Sequence, residues 1–397
     1  MARVVYQKFE DSRPLFWCLL AVNAGLIVAG LGAAYFMEQR GHIVTGMNNQ
    51  IVWGMPHVFA VFLIVAASGA LNVASIASVF GRLEYKPYAR LSGLLAIALL
   101  VGGLSVLVLD LGRPDRLIVA MTTYNFKSIF AWNIYLYVGF LAIVAAYLFT
   151  MMDRRASRSA ALGKRVGVLA FVWRLALTTG TGSIFGWLAA RDAYDTAVMA
   201  PLFIAASFLY GLAFTILVLA TMSQSARQDL LGDEIVSKFR GLLVVFALVV
   251  LYFTVMQHLT SLYAGQHFGV ERFLLLEGGR YTAVFWIGQI LVGSLLPLFL
   301  LAAPAFGHSR AALTIASVLF LIGGLAQMYV IIIGGQAYPL NLFPGMEVTS
   351  SFHDGQVTYY RASLPEVLLG LSGIAIAMLM TGIAFRLMPF LPRPVRD

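Results

Sequence analysis

Residues 91–109 of the chain read LSGLLAIALLVGGLSVLVL, and none of these nineteen side chains is charged. As an α-helix this run would be about 28 Å long, at 1.5 Å per residue. That length matches the roughly 30 Å hydrocarbon core of a bilayer. Arg90 and Asp110 stand at the two ends of the run, where a charged side chain can reach water. The stretch therefore predicts a membrane-spanning helix.

The rest of the chain has the same character. Of its 397 residues, 60% are hydrophobic and 11% are charged, whereas an ordinary soluble domain has about 25% charged residues. The mean hydropathy is +0.85. A soluble protein of this size has too much surface to leave so much of it apolar. The composition excludes a soluble enzyme, a disordered chain and a nucleic-acid-binding protein, and it predicts an all-α integral membrane protein.

Ten apolar runs are long enough to cross a bilayer as helices. We expect these spans at about residues 15–37, 52–80, 90–110, 128–151, 166–190, 198–222, 240–263, 281–303, 311–334 and 366–388. The fifth run contains Arg174 and a centre rich in Thr and Gly, over residues 178–183. Such a centre would also suit a broken helix of the kind found in transporters.

Lys and Arg are unequally divided between the alternating connections. Of the 27 such residues, 18 lie in the set of segments that includes both chain ends, 8 lie in the other set, and Arg174 lies within a span. Because Lys and Arg favour the cytoplasmic side, we expect a bacterial inner-membrane protein with both termini in the cytoplasm. The net charge of +9 is then a topology signal.

The longest outer connection, residues 335–365, contains Pro339, Pro344 and an alternating stretch over 356–360. This pattern predicts a turn or hairpin over the membrane surface. A connection of this length is uncommon without a function, so it is either a docking surface or a simple strap between helices.

Cys18 is the single cysteine of the chain. One cysteine cannot form an intramolecular disulfide, ligate an iron–sulfur cluster or build a Cys-based zinc site. We therefore expect no metal in this chain, and any redox metal must belong to other ligands or to another polypeptide.

The candidate chemistry lies where ionisable groups enter the membrane. His57 begins the second span and Asp110 ends the third, which places both near the outer face, with His57 roughly 8 Å deep. A histidine and a carboxylate at one depth can hydrogen-bond a quinone carbonyl and accept protons from a quinol. The alternatives are a structural histidine and a helix-end ion pair of Asp110 with Arg113 or Arg116.

The other histidines are weaker candidates for a functional role. His258, near the outer end of the seventh span, is a second candidate, and together with His57 it could nominally ligate haem b. A single helix carrying two well-spaced histidines is absent from the sequence, which disfavours haem. Four histidines fall in connections and are predicted to be solvated: His42, His267, His308 and His353. Arg174 is predicted to extend its side chain to the cytoplasmic interface.

Polar residues follow one another at helical spacing in the second span, at Ser68, Asn72 and Ser75. They predict either a wet half-channel that conducts protons or hydrogen bonds that hold helices together. The apolar runs carry no acidic residue at mid-depth, which argues against an autonomous ion pump. ATP-driven transport and NAD chemistry lack their phosphate-binding motifs.

Two segments resemble a known family. Residues 109–116, LDLGRPDR, resemble the Leu-x-Leu-Gly-Arg-Pro signature of the NrfD/PsrC family of quinone-interacting membrane subunits. The C-terminal part resembles its ten-span branch, which includes the membrane subunit of the sulfite-reductase-associated DsrMKJOP complex. The residues that carry this second likeness are 334–339 (GGQAYP), 343–345 (FPG), 350–352 (SSF), 354–357 (DGQV) and 363–366 (SLPE).

The resemblance implies an architecture and a set of partners. Spans two to five, within about 52–190, would form a four-helix bundle that binds menaquinone or ubiquinone near the outer face. A second bundle would occupy about 198–334, followed by the periplasmic loop 335–365 and a C-terminal helix at 366–388. Family members generally carry no redox metal of their own. Electrons would pass to or from a periplasmic ferredoxin-like iron–sulfur subunit, beside other membrane and cytochrome subunits.

By position, Asp110, Gly112, Arg113 and Pro114 match the family signature, and His57 matches approximately. We therefore expect an oxidoreductase subunit linked to dissimilatory sulfur metabolism. In it, His57 and Asp110 handle protons and the quinone carbonyl, Arg113 orients Asp110 or the quinone oxygen, and Trp53 flanks the head group. The alternatives are a ten-span secondary transporter or ion channel, and an inert anchor whose outer connections alone matter.

Overall fold

A computed structural model describes residues 5–10, 13–123, 125–153, 160–226, 229–304, 309–340 and 356–392. Within these ranges, ten helices are long and apolar enough to cross a membrane, which confirms the predicted all-α, ten-span fold. They are α1 (Pro14–Arg40), α2 (Met55–Ser78), α3 (Leu83–Leu109), α4 (Ile129–Met152), α5 (Ala161–Gly186), α6 (Met199–Ser225), α7 (Asp233–Tyr263), α8 (Arg280–Ala302), α9 (Arg310–Ala337) and α10 (Leu364–Leu387).

Several spans depart from a uniform α-helix. α2 consists of Met55–Ala70 and Asn72–Ser78, and α3 begins with a 3-10 segment at Leu83–Tyr88. α8 is π-helical over Val284–Leu295 and α9 over Val330–Gly334. π-helical turns are rare and are frequently found at functional sites.

Short elements lie in the connections. There are 3-10 turns at His42–Val44, Pro114–Arg116 and Gly265–His267, helical turns at Leu117–Thr122 and Phe268–Arg272, and a π-turn at Phe273–Glu277. Two strands, β1 (Tyr6–Gln7) and β2 (Leu391–Pro392), pair antiparallel.

The spans pack as two rings with a flanking pair. α2, α3, α4 and α5 contact one another in sequence, and α5 closes the ring on α2; α6, α7, α8 and α9 form a second ring in the same way. We call these the first and the second bundle. α1 and α10 pack together and against the first bundle. Over its most apolar stretch α2 is 89% buried and α6 is 83% buried, against 11% for α1, so α2 and α6 form the centre of the molecule.

The two bundles meet where glycines allow the backbones of α2 and α6 to touch. A Cβ atom on Gly69 would lie 1.5 Å from the carbonyl oxygen of Ser207, and one on Gly211 would lie 2.0 Å from the nitrogen of Ala70. Both separations are far below van der Waals contact. This junction therefore requires glycine at both positions, as close helix crossings in membranes often do.

The first and the last described segments of the chain lie together at one membrane face. β1 pairs with β2, and the guanidinium of Arg386 donates to the carbonyl oxygens of Phe9 and Glu10. We call this the proximal face, and the opposite one, where α2 begins and α3 ends, the distal face. The charge distribution of the sequence predicts that the distal face is the outer one.

Specific expectations concerned the fifth span and the outer connection at 335–365. α5 begins about five residues earlier than predicted and runs without interruption through residues 178–183, so the prediction of a broken helix there is wrong. Of the outer connection at 335–365, the structure describes 335–340 and 356–365; the segments at 343–345, 350–352 and 354–355 lie outside the described residues, as do His308 and His353.

Candidate functional site

His57 and Asp110 meet at the distal end of the first bundle. His57 lies in the first turn of α2, directly after Pro56, and Asp110 directly follows the last residue of α3. Nδ1 of His57 is 2.9 Å from Oδ2 of Asp110. The imidazole side chain is 19% exposed and the carboxylate is 1% exposed. Solvent or a ligand therefore reaches the imidazole more easily than the carboxylate.

The pair has unused hydrogen-bonding capacity. The approach of the two groups is off the direction of a hydrogen bond, and within the described residues Nδ1 of His57 and both carboxylate oxygens of Asp110 have no hydrogen-bond partner. A buried acceptor without a partner costs about 1–3 kcal/mol, and more if it is charged. Such groups need an explanation, for example a role in catalysis. Hydroxyl groups of a ligand could donate to the carboxylate oxygens, and a hydroxyl or carbonyl group could pair with the imidazole nitrogen.

Trp53 lies on one side of the imidazole and is itself packed against two further aromatic rings. The ring of Trp53 lies 6.3 Å from that of His57 and 5.8 Å from each of Phe130 and Phe185, measured between centroids. Phe130 belongs to the start of α4 and Phe185 to the end of α5. Trp53 thus joins three helices of the first bundle at the distal face, next to the His57–Asp110 pair.

Gln336, in the last turn of α9, holds the backbone of Trp53. Its Oε1 accepts from the nitrogens of Val52 and Trp53, at 2.9 and 3.1 Å. Its Nε2 donates to the carbonyl oxygens of Trp53 and Ile332, at 3.0 and 2.7 Å. Gln336 is completely buried. One side chain of the second bundle therefore fixes the approach to α2 in the first.

A second clamp holds the start of α2. The hydroxyl of Tyr360 accepts from the nitrogen of Met55 at 2.7 Å and donates to Oε1 of Glu366 at 2.5 Å. Oε2 of Glu366 accepts from the nitrogens of Gly46 and Ser363, both at 2.8 Å. Burial, and then the neighbouring Glu366 carboxylate, raise the pKa of Tyr360. Tyr360 thus remains a donor to Glu366 at neutral pH.

Sequence reasoning did not assign a role to this supporting network. Two of its members stand in the segments that carry the family resemblance, Gln336 within 334–339 and Glu366 within 363–366. Arg191 contributes as well, donating to the carbonyl oxygens of Gln50 and Gln336 at 2.7 and 3.3 Å. The only signal for these residues in the sequence was the family resemblance of the segments that contain them, because hydrogen bonds between distant segments leave no periodic pattern.

Arg113 lies away from the pair. Its Nε is 3.3 Å from Oδ1 of Asp115, and the two side chains are 64% and 63% exposed. Since Asp110 accepts no hydrogen bond within the described residues, the structure does not support Arg113 as the group that orients Asp110. A helix-end ion pair of Asp110 with Arg113 or Arg116 is not seen either.

The three polar residues of α2 lie in the half of the membrane nearer the proximal face, and all are buried. The Ser68 hydroxyl donates to the carbonyl oxygen of Arg174 at 3.0 Å and lies 2.5 Å from the Thr178 hydroxyl. Ser75 donates to the carbonyl oxygen of Leu71 in its own helix. Nδ2 of Asn72 has no hydrogen-bond partner within the described residues. Only Asn72 keeps a free donor.

Arg174 is buried instead of reaching the interface. Its side chain is 1% exposed, and its guanidinium carbon lies 4.9 Å from the ring centre of Phe171 and 4.8 Å from that of Phe208. Nε and Nη1 have no hydrogen-bond partner within the described residues. The prediction that Arg174 extends to the cytoplasmic interface is therefore wrong, because the α5–α6 contact encloses it.

His258 and His57 lie in different bundles, and each has its own carboxylate. Nδ1 of His258 is 2.7 Å from Oε2 of Glu271. This arrangement does not favour shared ligation of a haem. No cluster of three or more His, Cys, Asp or Glu that could hold a metal occurs within the described ranges. His267, predicted to be solvated, is instead buried, with Nδ1 2.7 Å from the carbonyl oxygen of Asp192.

Comparison with known proteins agrees with this architecture. The sequence profile of the family described as polysulphide reductase, NrfD, matches residues 43–339. These residues extend from just before α2 to just after α9, so the match covers both bundles and omits α1 and α10.

Relatives match over most or nearly all of the sequence. The integral membrane subunit of an Hdr-like menaquinol oxidoreductase from Archaeoglobus fulgidus is 26% identical, over 98% of this chain and 97% of its own length. A putative dimethyl sulfoxide reductase membrane subunit from Halobacterium salinarum is 29% identical, over 93% and 90%. One of the polysulfide reductase polypeptides of Wolinella succinogenes is 23% identical, over 73% and 96%.

Proposed function

The chain belongs to the NrfD polysulphide reductase family, a family of membrane subunits of quinone-linked oxidoreductase complexes, and we propose that it exchanges electrons between the membrane quinone pool and an iron–sulfur subunit bound at the distal face. The menaquinol oxidoreductase relative supports menaquinone, rather than ubiquinone, as the quinone. The polysulfide and dimethyl sulfoxide reductase relatives support a link to sulfur metabolism.

The observation that carries this proposal is the His57–Asp110 pair. Its carboxylate is 1% exposed and has two oxygens without hydrogen bonds in the described structure. The ring of Trp53 lies beside the imidazole, and Phe130 and Phe185 lie beside Trp53. A quinol head group has two hydroxyl groups to donate and a flat apolar ring to pack against Trp53. The same surroundings would offer less to an inorganic ion, because the aromatic rings supply few polar ligands.

The two polar side chains divide the proton chemistry. Oxidation of one quinol to quinone releases two electrons and two protons. The electrons leave for the iron–sulfur subunit, and the pair accepts the protons. Asp110 accepts a hydrogen bond from a hydroxyl group and orients it, and His57, the more exposed partner, takes the proton and passes it to water. Quinone reduction runs these transfers in reverse.

Since the pair lies at the distal face, protons from quinol oxidation would leave on that side. With the termini in the cytoplasm of a bacterial inner membrane, as the Lys and Arg distribution predicts, release would be periplasmic. The unpaired donors of Asn72 and Arg174 support a further part of this proposal, a proton path with Ser68 and Ser75 in the proximal half of the first bundle.

The secondary-transporter alternative loses one of the features that favoured it. A broken helix with exposed backbone groups at mid-membrane would support a transported substrate. α5 is continuous from Ala161 to Gly186, so the fifth span does not provide such a site.

Substitution of Asp110 tests the proposal. In the purified complex, Asp110→Asn keeps the shape of the side chain but removes the negative charge that orients the hydroxyl group and stabilises the protonated imidazole of His57, so proton transfer to His57 is impaired. We expect quinol oxidation to fall by about 100-fold or more, the usual size of a general acid–base contribution. The measurement is quinol-dependent reduction of an artificial acceptor, beside the binding of a quinone analogue.

Asp115→Asn is the matched control, because Asp115 belongs to the same connection but is 63% exposed and paired with Arg113. We expect this variant to keep at least about half of the wild-type rate, since exposed ion pairs contribute little. Full activity in Asp110→Asn, with normal assembly of the complex, would disprove the role of the pair.

A further inference from the structure

A second buried imidazole–carboxylate pair lies at the distal end of the second bundle, and the proposed quinone chemistry does not use it. His258 is located one turn before the end of α7, and Glu271 follows in the connection to α8. Their closest atoms, Nδ1 and Oε2, are 2.7 Å apart, and the side chains are 12% and 5% exposed. Ionisable groups at such a position in a membrane protein suggest a functional site.

Uncharged polar side chains line a cavity beside His258. They are Thr254, Gln257, Gln289 and Gln327, which are 3%, 8%, 7% and 1% exposed. Nε2 of Gln327 is 3.4 Å from the hydroxyl of Thr254. The side chains of Gln257 and Gln289 line the same cavity as His258. Because buried amides are costly without partners, a polar occupant suits this cavity.

The size of the cavity decides which occupant fits. Its volume is about 20 Å³. A cavity holds one water molecule when it offers at least about 10–15 Å³ and two to four polar partners. Quinones and other organic ligands need pockets of about 300 Å³ or more. The cavity therefore accommodates a water molecule and excludes a second quinone.

The local backbone contributes to this space. Gln289 lies within the π-helical stretch of α8, and Val330 and Ile331, which also line the cavity, lie within that of α9. A π-turn widens the helix and shifts the side chains that follow it. The irregular turns of two facing helices thus coincide with the polar cavity, as expected for a built site rather than a packing defect.

We propose that the second bundle contains a hydrated proton-binding site, in which His258 binds a proton opposite Glu271 and exchanges it with a water molecule held by Gln257 and Gln289. No electron transfer is involved. A proton from the aqueous phase, relayed by this water, adds to the imidazole, which becomes an imidazolium paired with the carboxylate; the proton leaves again through the same water, and the water itself is unchanged. From this site, Thr254, Gln327 and the hydroxyl of Tyr210 continue the polar contacts toward mid-membrane.

The surroundings of His258 make Glu271 the group that controls its protonation. From α8, the ring of Phe285 contacts the imidazole edge-on at 4.8 Å between centroids. The cavity side chains contributed by α6, α8 and α9 are uncharged. Within the described residues, Glu271 is the charged group in contact with His258. Removing its charge should therefore disfavour the imidazolium.

The test is nitrogen NMR of the whole complex in lipid, with ¹⁵N-labelled histidine, since imidazole and imidazolium nitrogens have distinct shifts. His258→Gln identifies the signal. At a pH where His258 is half protonated in the wild type, Glu271→Gln should lower the imidazolium-to-imidazole ratio by about tenfold or more, because a carboxylate within 4 Å typically has an effect of that size.

Glu277→Gln is the matched control. Glu277 lies in the same connection, but it is 55% exposed and paired with Arg272, so its loss should leave the His258 signal unchanged. An equal imidazolium fraction in Glu271→Gln and the wild type, or a His258 that stays neutral down to pH 5, would overturn the proposal.

Gln289→Leu tests the water independently of the carboxylate. This variant should remove the cross-peak between His258 and water protons while leaving the fold intact, and persistence of that cross-peak would contradict the assigned cavity. Quinone-analogue affinity should change by less than about twofold in Glu271→Gln, because His57 lies in the other bundle and distant sites act independently. The quinone proposal and this one can thus fail separately.

Discussion

The two bundles both place an imidazole beside a carboxylate at the distal face, yet the two pairs differ in what they leave unsatisfied. In the first bundle the groups are 2.9 Å apart and both oxygens of Asp110 lack a hydrogen bond within the described structure. In the second, His258 and Glu271 approach to 2.7 Å and form a hydrogen bond. The carboxylate of the first pair is open to an external donor, whereas the carboxylate of the second already has the imidazole as its hydrogen-bond partner.

The side chains that surround the two pairs also differ. Each imidazole has an aromatic neighbour, Trp53 at 6.3 Å from His57 and Phe285 at 4.8 Å from His258, measured between centroids. His258 also lies beside glutamine and threonine side chains that line a cavity of about 20 Å³. A flat apolar ring suits the first environment and a water molecule suits the second. The same two residue types can therefore serve redox-linked and purely protonic chemistry, depending on what surrounds them.

The largest expected effect is on the yield of folded protein, and it comes from a substitution at the contact between the two bundles. Gly69→Val forces a side chain into the backbone of α6 at Ser207. Overpacking costs about 1–3 kcal/mol where side chains can move, and here a backbone carbonyl must move instead. We expect the yield of folded protein in size-exclusion chromatography to fall at least about tenfold. Gly25→Val, at a glycine with open space around it, should keep the wild-type yield, and equal yields for both would contradict the described junction.

A smaller effect should follow from removing Gln336, the side chain of the second bundle that holds the backbone before α2 in place. Gln336→Leu leaves the nitrogens of Val52 and Trp53 without their acceptor, at about 1–3 kcal/mol for each buried group. We expect the melting temperature of the complex to fall by about 5 °C or more, with weaker quinone binding. Gln356→Leu, at an exposed position, should change neither quantity.

Substitution of Trp53 affects only the first pair. Trp53→Leu removes the ring beside His57, and aromatic contacts contribute about 0.5–1.5 kcal/mol beyond the area that they bury. We expect quinone-analogue affinity to fall about 3- to 10-fold, with kcat nearly unchanged, as measured by titration and steady-state kinetics. Trp132→Leu, an exposed tryptophan of α4, is the control. A loss of kcat without a loss of affinity would argue against Trp53 as a head-group contact.

The smallest effect is expected in the proximal half of the first bundle. Asn72→Leu removes a buried donor that has no partner within the described residues. If protons pass along α2, proton uptake during turnover in proteoliposomes should slow by about threefold, equivalent to one weak hydrogen bond, while quinol oxidation in detergent stays unchanged. Asn23→Leu in α1, where the amide bonds to Leu19 of its own helix, should leave both rates unchanged.

The sequence predicted the spans well because the length of an apolar run reflects the thickness of the bilayer. It also predicted the meeting of His57 and Asp110, since the start of one span and the end of the next lie at the same face. That inference needed only the depth of the two residues in the membrane. The distance between the two side chains, and the absence of other partners for Asp110 among the described residues, became visible only in the structure.

Two of the predictions that failed concern the direction in which a side chain points, and not its depth in the membrane. Arg174 was expected to reach water, but α5 turns it toward Phe208 of α6. His267 was expected in solvent, but the connection folds it onto the carbonyl oxygen of Asp192. Run lengths do not reveal which side of a helix faces a neighbour. The helices of this protein are apolar all round, so hydrophobic periodicity gives little help.

The most direct measurement is a cryo-EM map of the intact complex with a bound quinone analogue. The account predicts density for the head group at the distal end of the first bundle, with a ring oxygen within about 3.5 Å of His57 or Asp110 and the ring against Trp53. An analogue bound elsewhere, with side chains of the protein filling the space before Asp110, would contradict it.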